Sequence, residues 1–382
     1  MMKKIKVVHI VTLLEFGGAQ QTVLTILKNL NAERFDRVLL CGRGGFLDSV
    51  ALASGFSVRF VPHLIRQIRP WRDVWALVSL WRLLRLEKPD IVHTHSSKAG
   101  VLGRLAAWGA GVPAVVHTVH GFGFTPAQPS WVRGLFVLLE RFLARRTTAL
   151  IFVSKANQEE ALARGIGDQN QMHLIRAAVP LQTYFEVTHR RESPPGIRLA
   201  PSDKLVTTVG PFKPQKNLPD FIRVAEWVSV RHPEAKFVIV GDGTDRKSLE
   251  TEIVKRGLTQ HLFLLGWRQD MAAIFSRTEI FCMTSLWEGL PMALVEAMAA
   301  GLPSVVNAVD GCKDVIRDGQ NGFLTPPGSP EVTAEKIIQL LEDPALAQKM
   351  GAMARKSLGR DFDTNTMVSD HEALYGSLVR QK

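Results

Sequence analysis

The chain has 382 residues, 46% apolar and 22% charged, long enough for two globular cores and too apolar for a disordered protein. Its 47 Lys and Arg against 36 Asp and Glu leave a net charge of +11, which favours anionic company such as nucleic acid, phosphorylated small molecules or an acidic membrane surface. Cys41, Cys282 and Cys312 are odd in number and far apart; they exclude a disulfide framework and a zinc-finger spacing and point to a reducing, cytosolic setting.

The opening "MMKKIKVVHIVTLLEFGG" sets basic residues before apolar ones, as a signal peptide does, but no small-residue cleavage site follows. It reads as a buried first strand. Gly17 and Gly18 separate that strand from the helix of "AQQTVLTILKNL" and let the backbone approach a phosphate, although a tight turn alone uses the same pair. The runs RVLLCG, SVRFVP, DIVHTHS, AVVHTVH and ALIFVS continue the first half; strands that are apolar throughout, separated by helices, predict a parallel sheet covered on both faces. Nowhere do roughly 18 uncharged apolar residues run together, as a spanning helix needs.

Two helical segments in this half are basic and tryptophan-bearing: residues 66–88, with Trp71, Trp75 and Trp81, and residues 131–146. Taken singly, each reads as a cover for the sheet with its Arg heads reaching water. Together they point to peripheral contact with an anionic membrane surface. His93 and His95 alternate on one strand, and His117 and His120 end the next. Four imidazoles near one cleft could hold a metal, but there is no nearby cysteine and no carboxylate at ligand spacing, so the expectation is none. His120, just before a glycine, is the better catalytic candidate.

Charge, Pro and Gly cluster at residues 186–204 and mark the domain boundary. The second half resumes with KLVTTVG, KFVIVGDG, EIFCMTS and SVVNAV. Two Rossmann-like domains then face a central cleft, the usual ligand position for such sheets. "VGPFKPQKNL" places Lys213 and Lys216 after a strand, where they would neutralise a leaving diphosphate or merely be solvated. Gly241 and Gly243 form another close-approach turn, and Arg268 is a further candidate substrate contact. "SLWEGLPMALVEAMAAGLPSVV" predicts a helix from Pro291 to about Ala300, ended by Gly301. Free N–H groups around Glu288, Gly289 and Leu290 suit a phosphate. Glu296, on the second turn in apolar surroundings, suits a vicinal diol such as a ribose, and Glu288 another hydroxylated group; a helix-start acid and a salt-bridged core acid are the plain alternatives. "DFD" at residues 361–363 imitates a metal-binding acidic motif but falls in a polar turn.

Over essentially its whole length the chain resembles the retaining, metal-independent glycosyltransferases of family 4, which have the GT-B fold. The likeness is most specific in "EGLPMALVEAMAAGLPSV", whose two acids have seven residues between them. "HTHSSKAG", "HTVHGFGF" and "FKPQKN" resemble the members that build bacterial surface polysaccharides and lipid-linked oligosaccharides. The resemblance implies an acceptor-binding domain over 1–190 and a nucleotide-sugar domain over 201–382, whose last helix, about 362–382, is a candidate to pack back on the first domain. It implies that Glu296 binds the nucleotide ribose, Glu288 holds hydroxyls of the transferred sugar, Lys216 contacts the diphosphate with Gly17 and Gly18 nearby, and His120 lies near the reacting carbon. Departures fall at Pro211 for the usual arginine, Gln20 for an acid, "RAAVP" for an "NG" turn, and Asp310, Gly311 and Asp314 for the last acidic motif.

The reaction the resemblance implies moves a sugar from a nucleotide-diphospho-sugar, expected to be UDP-linked, to a polyprenyl-diphosphate-linked saccharide at the inner face of the plasma membrane. No cofactor or metal is expected. No enzymic nucleophile stands beside the motifs, and the resemblance implies front-side attack with the leaving phosphate taking the acceptor's proton. A nicotinamide dehydrogenase is disfavoured because "GGAQQT" lacks the third glycine and "GFGFTP" has Pro126 where a glycine belongs. A sugar-nucleotide epimerase would share the fold, while a basic nucleic-acid-binding protein would want aromatics interleaved with charge on one exposed face.

Overall fold

The computed structural model describes residues 3–124, 128–187, 193–194 and 196–380. Two compact units result, one of residues 1–178 with 364–382, the other of 179–363.

The first unit is a seven-stranded sheet of β1 (Ile5–Val11), β2 (Phe35–Cys41), β3 (Ser57–Phe60), β4 (Ile91–His95), β5 (Ala114–Val119), β6 (Ala149–Phe152) and β7 (Met172–Leu174), in the order β3-β2-β1-β4-β5-β6-β7. Each pairing is parallel. Every residue of β4 and β5 is buried, because helices cover both faces and no side of the strand meets water. On one face the cover is the chain's last helix, Thr364–Arg380, whose Met367, Leu374 and Tyr375 pack with Val7, Phe35, Ile91 and Val116.

The second unit holds β8 (Lys204–Val209), β9 (Ala235–Val240), β10 (Leu262–Gly266), β11 (Thr278–Met283), β12 (Ser304–Asn307) and β13 (Phe323–Thr325), in the order β10-β9-β8-β11-β12-β13, again all parallel. The chain enters and leaves this unit side by side: Val179 bridges Asp363, and the Val179 N–H donates to the Phe362 carbonyl at 3.1 Å.

The units divide at Ala178, ahead of the 186–204 stretch, part of which (188–192 and 195) lies outside the described residues, as does Pro126. The earlier division follows from the short helix Leu181–Phe185, which packs on the helix Met292–Ala299 and so belongs to the second unit.

In both sheets the connections leave two central strands in opposite directions, β1 and β4 in one, β8 and β11 in the other. Such switch points leave a crevice beyond the carboxyl ends of the strands, where ligands of open α/β sheets bind.

Candidate active site

At the switch point of the second unit, residues 210–217 follow β8 and residues 284–291 follow β11. The two loops are stitched together. The Leu286 N–H donates to the Gln215 carbonyl at 2.9 Å, the Gln215 amide to the Trp287 carbonyl at 2.9 Å, and the Thr284 hydroxyl reaches the carbonyls of Lys216 and Asn217 at 3.1 and 3.0 Å. Across the seam the Lys216 ammonium meets the Glu288 carboxylate at 2.6 Å. Both side chains are nearly buried, 12% and 8% exposed, so each charge depends on the other for compensation.

The helix that follows runs Met292–Ala299, with Pro291 outside it as the N-cap in extended conformation, one residue later than its sequence suggests. Glu296 sits on its second turn and faces Tyr184 from Leu181–Phe185. The buried Tyr184 hydroxyl donates to the Glu296 carboxylate. Burial pushes the Glu296 carboxyl up to about 7, an effect the tyrosine hydrogen bond partly offsets. The carboxylate therefore meets a hydroxyl where a structural salt bridge would have supplied a cation. It is the local environment of a group that accepts O–H donors.

Around these loops Gly241, Gly243 and Gly311 owe their identity to the chain's own backbone. A Cβ on Gly241, whose φ is +145°, would come within 2.0 Å of the Gly210 carbonyl oxygen, and one on Gly243 within 2.6 Å of the Phe212 oxygen. Both let the 210–212 segment pair with β9, where Phe212 N–H donates to the Asp242 carbonyl at 2.9 Å. A Cβ on Gly311 would lie 1.7 Å from the Gly289 oxygen and 3.1 Å from the Leu290 Cα, so the helix Asp310–Lys313 presses directly on the Gly289–Leu290 turn. Lys213 caps the short 3-10 turn Pro214–Lys216 and is half-buried. Arg268, just past β10, forms a two-pronged pair with Asp270 at 2.8 and 2.5 Å, with two strands lying between β10 and β11.

The first unit repeats the pattern at its own switch point. The Thr12 hydroxyl bonds the Ser96 hydroxyl at 2.9 Å and receives the Ala99 N–H at 3.2 Å. Ser96 has φ +62°, a conformation an L-residue adopts at a cost, and such strain concentrates at functional turns. Gly17 caps the helix Gly18–Asn29 with extended backbone, and Gln20 turns its amide back onto the Leu13 carbonyl at 3.3 Å.

The imidazoles are sorted differently from the grouping their positions suggest. His93 and His95 do share a face, with ring centroids 4.1 Å apart, and His120 joins them through His95 at 3.1 Å. His117 leaves the group: strand alternation turns it to the other face, onto the Thr94 hydroxyl at 2.9 Å and against Gly100. His9 of β1 takes its place, and Tyr375 closes the cluster. His9, His93 and His95 have ligand-type nitrogens within 4.8 Å of one another, yet every one of those nitrogens already has a hydrogen-bond partner: His9 and His95 pair with each other, and the rest are met by His120, Tyr375 and Thr118. Tyr184, Gln215, His9 and Tyr375 had no motif to announce them. A signal did exist: the chain has only two tyrosines, both are buried, and each holds a polar group of one of these sites.

The two parallel α/β units have the architecture of a GT-B glycosyltransferase. The chain superposes on the solved Anabaena Alr3699/HepE complex with UDP and glucose with a TM-score of 0.82, at 20% identity over 98% of this chain and 100% of that one. Residues 17–178 match the glycosyl transferase 4-like domain and residues 189–357 the glycosyl transferases group 1. An Escherichia coli UDP-Gal:alpha-D-GlcNAc-diphosphoundecaprenol alpha-1,3-galactosyltransferase is 34% identical over 383 residues, covering 99% of this chain and 98% of that protein. The capsular polysaccharide biosynthesis glycosyltransferase CapM of Staphylococcus aureus is 21% identical over 84% of this chain and 86% of its own. The chain belongs to the group 1, family 4-like glycosyltransferases.

Proposed function

We propose that the chain transfers a hexose or N-acetylhexosamine from a UDP-sugar to a polyprenyl-diphosphate-linked saccharide, with retention of configuration and without a metal, in the assembly of a bacterial polysaccharide. The observation that carries this reading is the full-length 34% identity to an enzyme named for a UDP-Gal donor and a GlcNAc-diphosphoundecaprenol acceptor.

The chemistry to be helped is the parting of a sugar from a diphosphate, which spreads positive charge over the ring and negative charge over the leaving group. In this reading Lys216, Lys213 and the N–H groups at Gly289, Leu290 and the start of Met292–Ala299 stabilise the diphosphate, with Gly17 and Gly18 nearby. That help grows as the bond stretches, so it lowers the barrier rather than merely tightening binding. Glu296 accepts the ribose hydroxyls, exchanging or sharing its tyrosine donor, and Glu288 accepts hydroxyls of the moving sugar. His120 touches the sugar beside its reacting carbon. The acceptor hydroxyl attacks from the face the diphosphate leaves, its proton passing to the departing phosphate oxygen. The new glycosidic bond thus balances the broken one.

Membrane attachment is part of the same reading. On the helix Ser130–Ala144, Trp131, Leu135, Leu138 and Phe142 form one stripe and are 73%, 60%, 62% and 47% exposed. On the opposite side Glu140 is tied to the buried Arg104 at 2.8 Å, which fixes the stripe outward. Trp71, Val74 and Trp75 on Pro70–Glu87 are also exposed. Apolar stripes edged by arginine suit the interface of an anionic bilayer, where a lipid-linked acceptor resides. Among the described residues no helix is long and apolar enough to cross a membrane.

The test is transfer of radiolabelled sugar from each UDP-sugar to GlcNAc-diphosphoundecaprenol, with EDTA present. Product with one UDP-sugar, bearing the donor's anomeric configuration, is expected; transfer from GDP- or ADP-sugars alone, or dependence on added metal, would overturn it.

A further inference from the structure

The buried imidazoles of the first unit form an ordered chain that ends at His120. The Tyr375 hydroxyl contacts His93 Nδ1 at 2.6 Å and His9 Nε2 at 3.2 Å; His9 Nδ1 meets His95 Nε2 at 2.9 Å, and His95 Nδ1 meets His120 Nε2 at 3.1 Å. On the far side His93 Nε2 contacts the Thr118 hydroxyl at 2.7 Å. Burial holds His9 down to about 3 and His120 down to about 4, and lowers His93 and His95 well below the ordinary histidine range, so each ring is neutral and carries a single N–H. With one proton per ring and one on Tyr375, once the tyrosine donates to one imidazole the direction of every other link follows.

The lengths select one polarity. A hydroxyl donor makes shorter bonds than a ring N–H, so Tyr375 donates to His93 Nδ1 and accepts from His9 Nε2–H. His9 Nδ1 must then accept from His95 Nε2–H, and His95 Nδ1 from His120 Nε2–H. His93 gives its own Nε2–H to Thr118. His120, half-buried at the end of the chain, is left with an unprotonated Nδ1.

We propose that Tyr375, His9 and His95 are positioning residues for sugar transfer, fixing His120 as the Nε2–H tautomer so that its Nδ1 lone pair accepts a hydroxyl of the substrate. The proposal rests on the reading of His120 as a residue that touches the sugar. It also gives the last helix a role: Tyr375 carries the end of the relay on Thr364–Arg380.

The experiment is nitrogen-15 NMR of the histidine rings in the full chain, with His120 assigned through His120→Gln. The wild-type protein is expected to show His120 in the single Nε2–H form. Tyr375→Phe is expected to average its tautomers and lower kcat about tenfold with KM for the UDP-sugar unchanged. His95→Gln, whose amide oxygen still accepts from His120, should keep the tautomer where His95→Ala loses it. A wild-type His120 carrying its proton on Nδ1, or shifts that ignore Tyr375→Phe, overturns the relay. If the shifts respond but His120→Ala transfers sugar at the wild-type rate, the reading of His120 fails, and the positioning role fails with it while the proton order stands.

Discussion

Tyr184 gives its hydroxyl hydrogen to Glu296, and this bond offsets part of the burial that holds the Glu296 carboxyl near 7. An ordinary glutamate ionises near 4.5. The free protein therefore takes up a proton at this site on folding and loses stability as pH rises from about 4.5 through 7. Ribose hydroxyls donate to the ionised form, so UDP affinity should run the other way, falling up to tenfold per unit as pH drops below about 7. Tyr184→Phe removes the offsetting bond and should move the midpoint upward; Glu296→Gln should abolish the dependence. UDP titrations from pH 5.5 to 8.5 check all three.

Lys216 and Glu288 compensate each other across the two loops at 2.6 Å. Lys216→Ala strands a buried carboxylate and should cost on the order of 3–5 kcal/mol of stability, read as a lowered denaturation midpoint, together with a loss of transfer. Glu288→Gln keeps the shape and a hydrogen-bond acceptor; kcat should fall at least about a hundredfold while the fold persists. Wild-type turnover in Glu288→Gln would remove Glu288 from the reaction.

Gly311 presses on the Gly289–Leu290 turn so closely that a single methyl would lie 1.7 Å from the Gly289 oxygen. Gly311→Ala must displace the turn that precedes Met292–Ala299, at a cost of roughly 1–3 kcal/mol. KM for the UDP-sugar should rise, and thermal denaturation should report the lost stability.

The stripe Trp131, Leu135, Leu138 and Phe142 should carry membrane attachment. Replacing Leu135 and Leu138 by Glu should lower sedimentation with phosphatidylglycerol vesicles by about tenfold or more, with UDP affinity unchanged. Equal sedimentation of variant and wild-type protein would contradict the assignment.

How much of this was legible in the sequence depends on burial. Strands buried along their whole length, such as β5 (AVVHTV) and β6 (ALIF), are mostly apolar and recognisable as runs, whereas the equally buried β4 (IVHTH) carries polar residues at three of its five positions. The edge strands β7 and β13 are three residues long and only partly covered, so their composition carries little signal. Glu288 and Glu296 stand out because acids are rare in apolar surroundings. Tyr184, Tyr375 and His9 do not, because a tyrosine or histidine in a core run looks like packing until the fold shows what its polar atom touches. The same limit applies to His117, where one step of strand alternation decides between the cluster and the opposite face.

Calorimetric titration of UDP into the wild-type protein, Glu288→Gln and Glu296→Ala tests the division of labour between the two acids most directly. UDP should bind Glu288→Gln within about threefold of wild type and Glu296→Ala at least about tenfold more weakly, the loss expected when hydrogen bonds to a charged group are removed. Unchanged UDP affinity in Glu296→Ala would contradict the account.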